Sequence, residues 1–196
     1  MGKAKTMLGI LGMVTFGLCA SILMAAQTDF SGVWVLDKGK SRPLPHELKN
    51  YTMTVTQTEQ QLTVENNVEG DVQPQMTDNS LGGNMVNVGA MRSSFHPGTL
   101  ALSLKIPRVT YSLDGKDSNV DATTSVKAKR SKDGKTLDLS IVQKNSAQSG
   151  QGATVTTKER WTLAEGGEEL KVQRSVAAPE GTDVVNLVFR KGSGKP

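Results

Sequence analysis

Val155-Thr156-Thr157-Lys158-Glu159-Arg160-Trp161-Thr162-Leu163, then Gly166-Gly167, then Leu170-Lys171-Val172-Gln173-Arg174-Ser175-Val176 is the stretch that decides the fold. On both sides of the glycine pair the apolar side chains fall on alternate residues, the period of a strand with one buried face. A turn at Gly166-Gly167 brings Leu163 to Leu170, Trp161 to Val172 and Glu159 to Arg174. An acid and a base are thereby placed together on the apolar face.

Working outwards, the same period runs through Val184 to Phe189 and ends at Arg190. Upstream, Asp133-Gly134 supplies residues that accept the positive φ of a tight hairpin turn, and aligns Arg130 with Leu137, Ala128 with Leu139 and Val126 with Ile141. Earlier still, Tyr51, Met53 and Val55 alternate, as do Leu62 and Val64. Pairing Val55 with Leu62 sets Met53 opposite Val64 around a turn at Thr58-Glu59, with a longer loop as the alternative. Strands are expected near 30–37, twice across 51–66, at 108–113, twice across 123–143 and three times across 153–190. Leu100, Leu102, Leu104 and Ile106 offer a tenth. Residues 43–49 have room for a helical turn or two, and no stretch after residue 26 sustains a helical period.

These strands predict an all-β fold: an antiparallel up-and-down meander of about eight to ten strands closed into a barrel, which removes exposed edges and fills the interior with the alternating residues. A two-sheet sandwich is the competing arrangement. Residues 27–196 are expected to form this single domain, with a loop-like insertion around 68–107. Residues 1–26 read as a cleaved signal helix: Lys3 and Lys5, an apolar run from Met7 to Leu18, and Met24-Ala25-Ala26 before Gln27. The expected location is periplasmic or secreted, with no stable membrane span after cleavage. Cleavage removes Cys19, the one cysteine, and leaves 21 basic against 19 acidic residues, interspersed along the chain. That pattern gives no nucleic-acid face.

Asp29-Phe-Ser-Gly-Val-Trp-Val-Leu-Asp37 followed by Lys40-Ser41, with Tyr111-Ser-Leu-Asp-Gly-Lys116, Glu159-Arg-Trp161 and Asn186-Leu-Val-Phe-Arg190, resembles small secreted bacterial proteins of the lipocalin-like type, within the calycin group. The resemblance covers most of 29–192. It implies an eight-stranded barrel with an internal cavity, one end sealed by Gly32 and Trp34 with Arg190 over the indole. Such a cation–π contact contributes about 0.5 to 2 kcal/mol. The further loop signatures and the disulfide frequent in lipocalins proper are absent.

Glu159 and Arg174, with Trp161 and Met53 on the same inward face, are the candidate ligand-binding residues. Two readings of the pair stand side by side: a buried ion pair fixing strand register, or a polar handle in an apolar cavity where Arg174 meets a ligand carboxylate or phosphate. The insertion carries Met76, Met85, Met91 and His96. Thioethers with a histidine suit Cu(I), but the spacing is irregular, and adaptable apolar contact is the preferred reading. No metal or cofactor is expected. With no cysteine after cleavage, only His46 and His96, no Gly-x-Ser-x-Gly and no His-Glu-x-x-His, no catalytic residue is assigned. The expectation is a non-enzymatic barrel binding an apolar or amphipathic small molecule in its interior. The alternative is an envelope interaction module, its partner unknown, whose barrel is filled by its own side chains.

Overall fold

The computed structural model describes residues 27–70, 72, 98–102, 106–145, 153–179 and 181–192. The expected signal segment, Cys19, Leu104, the three insertion methionines and His96 lie outside the described residues. Ten strands form one antiparallel sheet: β1 (Gly32–Leu36), β2 (Leu48–Gln57), β3 (Gln61–Gly70), β4 (Arg108–Ser112), β5 (Asp117–Asn119), β6 (Thr124–Arg130), β7 (Thr136–Asn145), β8 (Ala153–Leu163), β9 (Glu169–Ala178) and β10 (Gly181–Lys191). A single helical turn, α1 (Thr99–Leu102), precedes β4.

The strands follow a meander, with β1 lying between β2 and β10. At the ends of this ladder β4 comes back against β5 and β6, so the sheet nearly closes into a barrel. The alternating residues fill it. Trp34, Tyr51, Met53, Leu62, Leu137, Trp161, Leu170 and Phe189 are all buried in one continuous core. The arrangement is the meander that the alternation predicts, with ten strands where the family resemblance implies eight.

Two hairpin registers are as the sequence predicts: Arg130 opposite Leu137 in β6–β7, and Glu159 opposite Arg174 in β8–β9. The β2–β3 register differs by two residues, Val55 meeting Val64 and Met53 meeting Asn66. Its turn spans residues 58–61, where the Thr58 hydroxyl accepts from the amides of Gln60 and Gln61. A shift of two preserves the faces, so Met53 stays inward. Residues 46–47 form a turn, and 43–49 contain no helix.

The tenth strand is also elsewhere than predicted. Leu100 and Leu102 lie in α1, while the extra strand is β5, whose Asp-Ser-Asn sequence carries no apolar period. The cause of the helical turn lies far away in sequence: the Asp183 carboxylate of β10 accepts from the amides of Gly98 and Ala101, both at 3.1 Å. Gly98 has φ +89°, and a Cβ there would stand 2.8 Å from the Pro43 carbonyl oxygen.

Around β1, Asp37 and Ser41 finish the sheet where β1 runs out. The Ser41 hydroxyl donates to the Asp37 carbonyl at 2.8 Å and accepts from the Val188 amide at 2.9 Å. It thus serves as the missing ladder partner of β10. Arg190 is not over the indole. Val185, Leu187 and Phe189 point inward, so Arg190 points outward, where its exposed guanidinium pairs with Asp37 at 2.6 Å. Lys191, the next residue in phase, stands opposite Trp34 with its ammonium 5.7 Å from the ring centroid. Gly32 leaves room for it, since a Cβ there would approach Lys191 Cε to 3.2 Å. The same end is pinned by the entering chain: Trp34 Nε1 donates to Phe30 O at 2.9 Å, while Arg130 Nη1 and Gln57 Nε2 both donate to Thr28 O at 3.1 Å.

Ser41→Ala strands the Val188 amide and is expected to cost about 1–3 kcal/mol in urea denaturation. Arg190→Ala removes the exposed cation from beside the largely covered Asp37 carboxylate and is expected to lower the urea midpoint less than Ser41→Ala does.

Candidate functional site

The sequence-predicted interior residues come together about the middle of the barrel. Glu159 on β8 and Arg174 on β9 are cross-strand partners, with Nε 2.7 Å from Oε1. Their side chains are 8% and 1% exposed. The second carboxylate oxygen accepts from Nε1 of Trp161, two residues along β8, at 2.6 Å.

Arg174 has two further neighbours, Tyr51 and Ala101, that the sequence pattern does not reveal. Nη2 donates to the Tyr51 hydroxyl at 2.7 Å, and Nη1 donates to the Ala101 carbonyl of α1 at 3.3 Å. The guanidinium carbon also stands 5.5 Å from the Tyr51 ring centroid. Tyr51 in turn lies 2.8 Å from Asn66 Oδ1, to which its hydroxyl donates. The result is a chain of polar groups, Trp161–Glu159–Arg174–Tyr51–Asn66, tying β8 and β9 to β2 and β3 across the interior. Met53 is buried in the surrounding apolar core.

Aromatic contacts brace the chain. Phe30 meets Trp161 edge-on at 6.0 Å, and Phe189 meets Tyr51 edge-on at 5.1 Å. At the opposite end from Trp34, Ala101 and Leu102 are completely buried, so α1 plugs that mouth. It reaches the interior polar groups through the Ala101 carbonyl, which accepts from Arg174.

The electrostatics follow from burial. Burial alone would lower the pKa of Arg174, but Glu159 and Tyr51 beside it hold it above the ordinary arginine value. Burial pushes the Tyr51 hydroxyl up, against a smaller opposing pull from Arg174. Tyr111 is pushed well above the ordinary range, first by burial and then by the negative charge of Glu159. The arrangement is therefore a fixed ion pair flanked by neutral phenols, suited to holding charge in place rather than to exchanging protons near neutrality.

Two depressions lined by described residues lie on the outer face. One, of about 540 Å³, is bordered by β6 to β10, and the other, of about 420 Å³, lies beside Thr52, Asn67 and Arg108. Compared with known proteins, the chain matches no family model, no curated protein and no solved structure.

Two outcomes follow. Glu159→Ala or Arg174→Ala alone leaves its partner buried and unpaired, and each is expected to cost about 3–5 kcal/mol; the double replacement Glu159→Leu with Arg174→Met is expected to recover most of that loss in urea denaturation. Because both tyrosines have raised values in the folded state, their stabilising effect is complete below the ordinary tyrosine pKa of about 10 and is lost as pH climbs beyond it. Tyrosinate absorbance should therefore appear together with unfolding in an alkaline titration, and Tyr111→Phe should move that unfolding to higher pH.

Proposed function

We propose that this protein is an exported, non-enzymatic β-barrel whose interior is a structural core and whose binding is done by its outer face and loops. One observation carries the reading: each of the three guanidinium nitrogens of Arg174 already has a partner within the protein, Glu159, Ala101 or Tyr51. A guanidinium built to receive a ligand anion keeps at least one edge free. The buried α1 plug and the packed aromatic side chains support the same reading, and the sequence of residues 1–26 supports export. The lack of any assembled nucleophile or acid–base pair in the sequence inventory supports a role without catalysis.

A second reading has one observation in its favour. The longest of Arg174's three contacts is the one to α1, at 3.3 Å, and α1 is a helix of only four residues. In this reading an amphipathic ligand displaces α1, its acidic group taking the place of the Ala101 carbonyl on Arg174.

Native mass spectrometry of the protein purified gently from an exporting bacterial host separates the two. The self-filled barrel predicts the same mass under native and denaturing conditions, unchanged after incubation with fatty acids or envelope lipid extract. Extra mass that leaves on denaturation would overturn it in favour of the carrier.

A further inference from the structure

We propose that the outer face of strands β6 to β9 holds a binding site for a small soluble polyanion bearing two or more phosphate groups. The inference rests on the outer-face reading above and names its ligand chemistry.

The site is the depression of about 540 Å³, a volume within the range of small-molecule pockets. Its cations are Lys127 and Lys129 of β6 and Lys158 and Arg160 of β8. All four belong to the outward set, because their neighbours Val126, Ala128, Glu159 and Trp161 point inward. The carboxylate of Glu159 is spent on Arg174 and Trp161 inside the barrel, which leaves Asp138 as the acid among the lining side chains.

Asp138 does not neutralise the group. It is gripped by Arg160, Nε to Oδ1 at 2.7 Å and Nη2 to Oδ2 at 3.3 Å. Lys127 makes an exposed pair with Asp117 at 3.2 Å. Lys129 and Lys158 have no ion pair among the described residues. Two of the four cations are thus paired within the fold, and the positive charge left over is that of Lys129 and Lys158. A recess with an excess of one sign concentrates the field and recruits counter-ions.

Register shows how a ligand fits. Lys127, Ser140, Lys158 and Ser175 lie side by side on four successive strands. With strands about 4.8 Å apart, the two lysines stand about 10 Å from each other with a serine hydroxyl between them. Lysine ammoniums bind phosphate as point charges, and the hydroxyls of Ser140 and Ser175 and the amide of Gln173 add donors to its oxygens. Two cations at that spacing take two phosphate groups better than one. A recess bounded on a sheet face admits a compact molecule, whereas a flat bilayer would rest on its rim.

The test is calorimetric titration of the full protein with inorganic tripolyphosphate at two salt concentrations. Binding is expected, weaker at the higher salt, and Lys129→Gln with Lys158→Gln should weaken it about tenfold or more without moving the thermal midpoint. Lys49→Gln with Lys132→Gln removes the same charge elsewhere and should bind as the unaltered protein does. No binding by a folded protein, equal loss in both double variants, or retention on phosphatidylglycerol vesicles that tripolyphosphate does not release would overturn the proposal. Native mass spectrometry tests the self-filled interior separately, so a failure here leaves that result to stand or fall on its own.

Discussion

The buried contact between Glu159 and Arg174 is what the rest of the interior is arranged around. Two charges taken from water are stable there only because each is hydrogen-bonded on more than one side. Trp161 takes one carboxylate oxygen, Arg174 the other, and Tyr51 and Ala101 take the remaining guanidinium nitrogens. Those partners come from β8, β9, β2 and α1, so satisfying one ion pair fixes the relative position of opposite walls of the barrel and of its plug.

The two ends are closed by different means. At the Trp34 end the entering chain is drawn across the opening by carbonyls of Thr28 and Phe30, and Lys191 covers the indole. At the other end α1 is held by the half-buried Asp183 carboxylate of β10 and by Arg174 of β9. With the ends occupied and the middle packed, the chemically unspent groups are on the outside, above all Lys129 and Lys158 beside Ser140 and Ser175.

Local pattern carried much of this. Alternation and two glycine-containing turns set the meander and placed Glu159 against Arg174, because cross-strand pairing near a turn depends on neighbours in sequence. Counting by twos from Val185 through Phe189 reaches Lys191 rather than Arg190, a signal that the sequence held and that the family resemblance obscured. Other features had no local signal. Tyr51 and Ala101 meet Arg174 across separations of 123 and 73 residues. The turn of α1 depends on Asp183, which overrides an alternating Leu100-Leu102 pattern. The cations of the outer groove look evenly interspersed along the chain, and converge only when β6 and β8 are laid on either side of β7.

Hydrogen exchange of the Ala101 amide by NMR tests most directly whether the interior is closed by the protein's own groups. If Ala101 exchanges as slowly as the amides of Trp161 and Arg174 in the central strands, the plug opens only when the barrel unfolds, as the account predicts. Exchange orders of magnitude faster than those strands would mean that the mouth opens in the native state, and would contradict it.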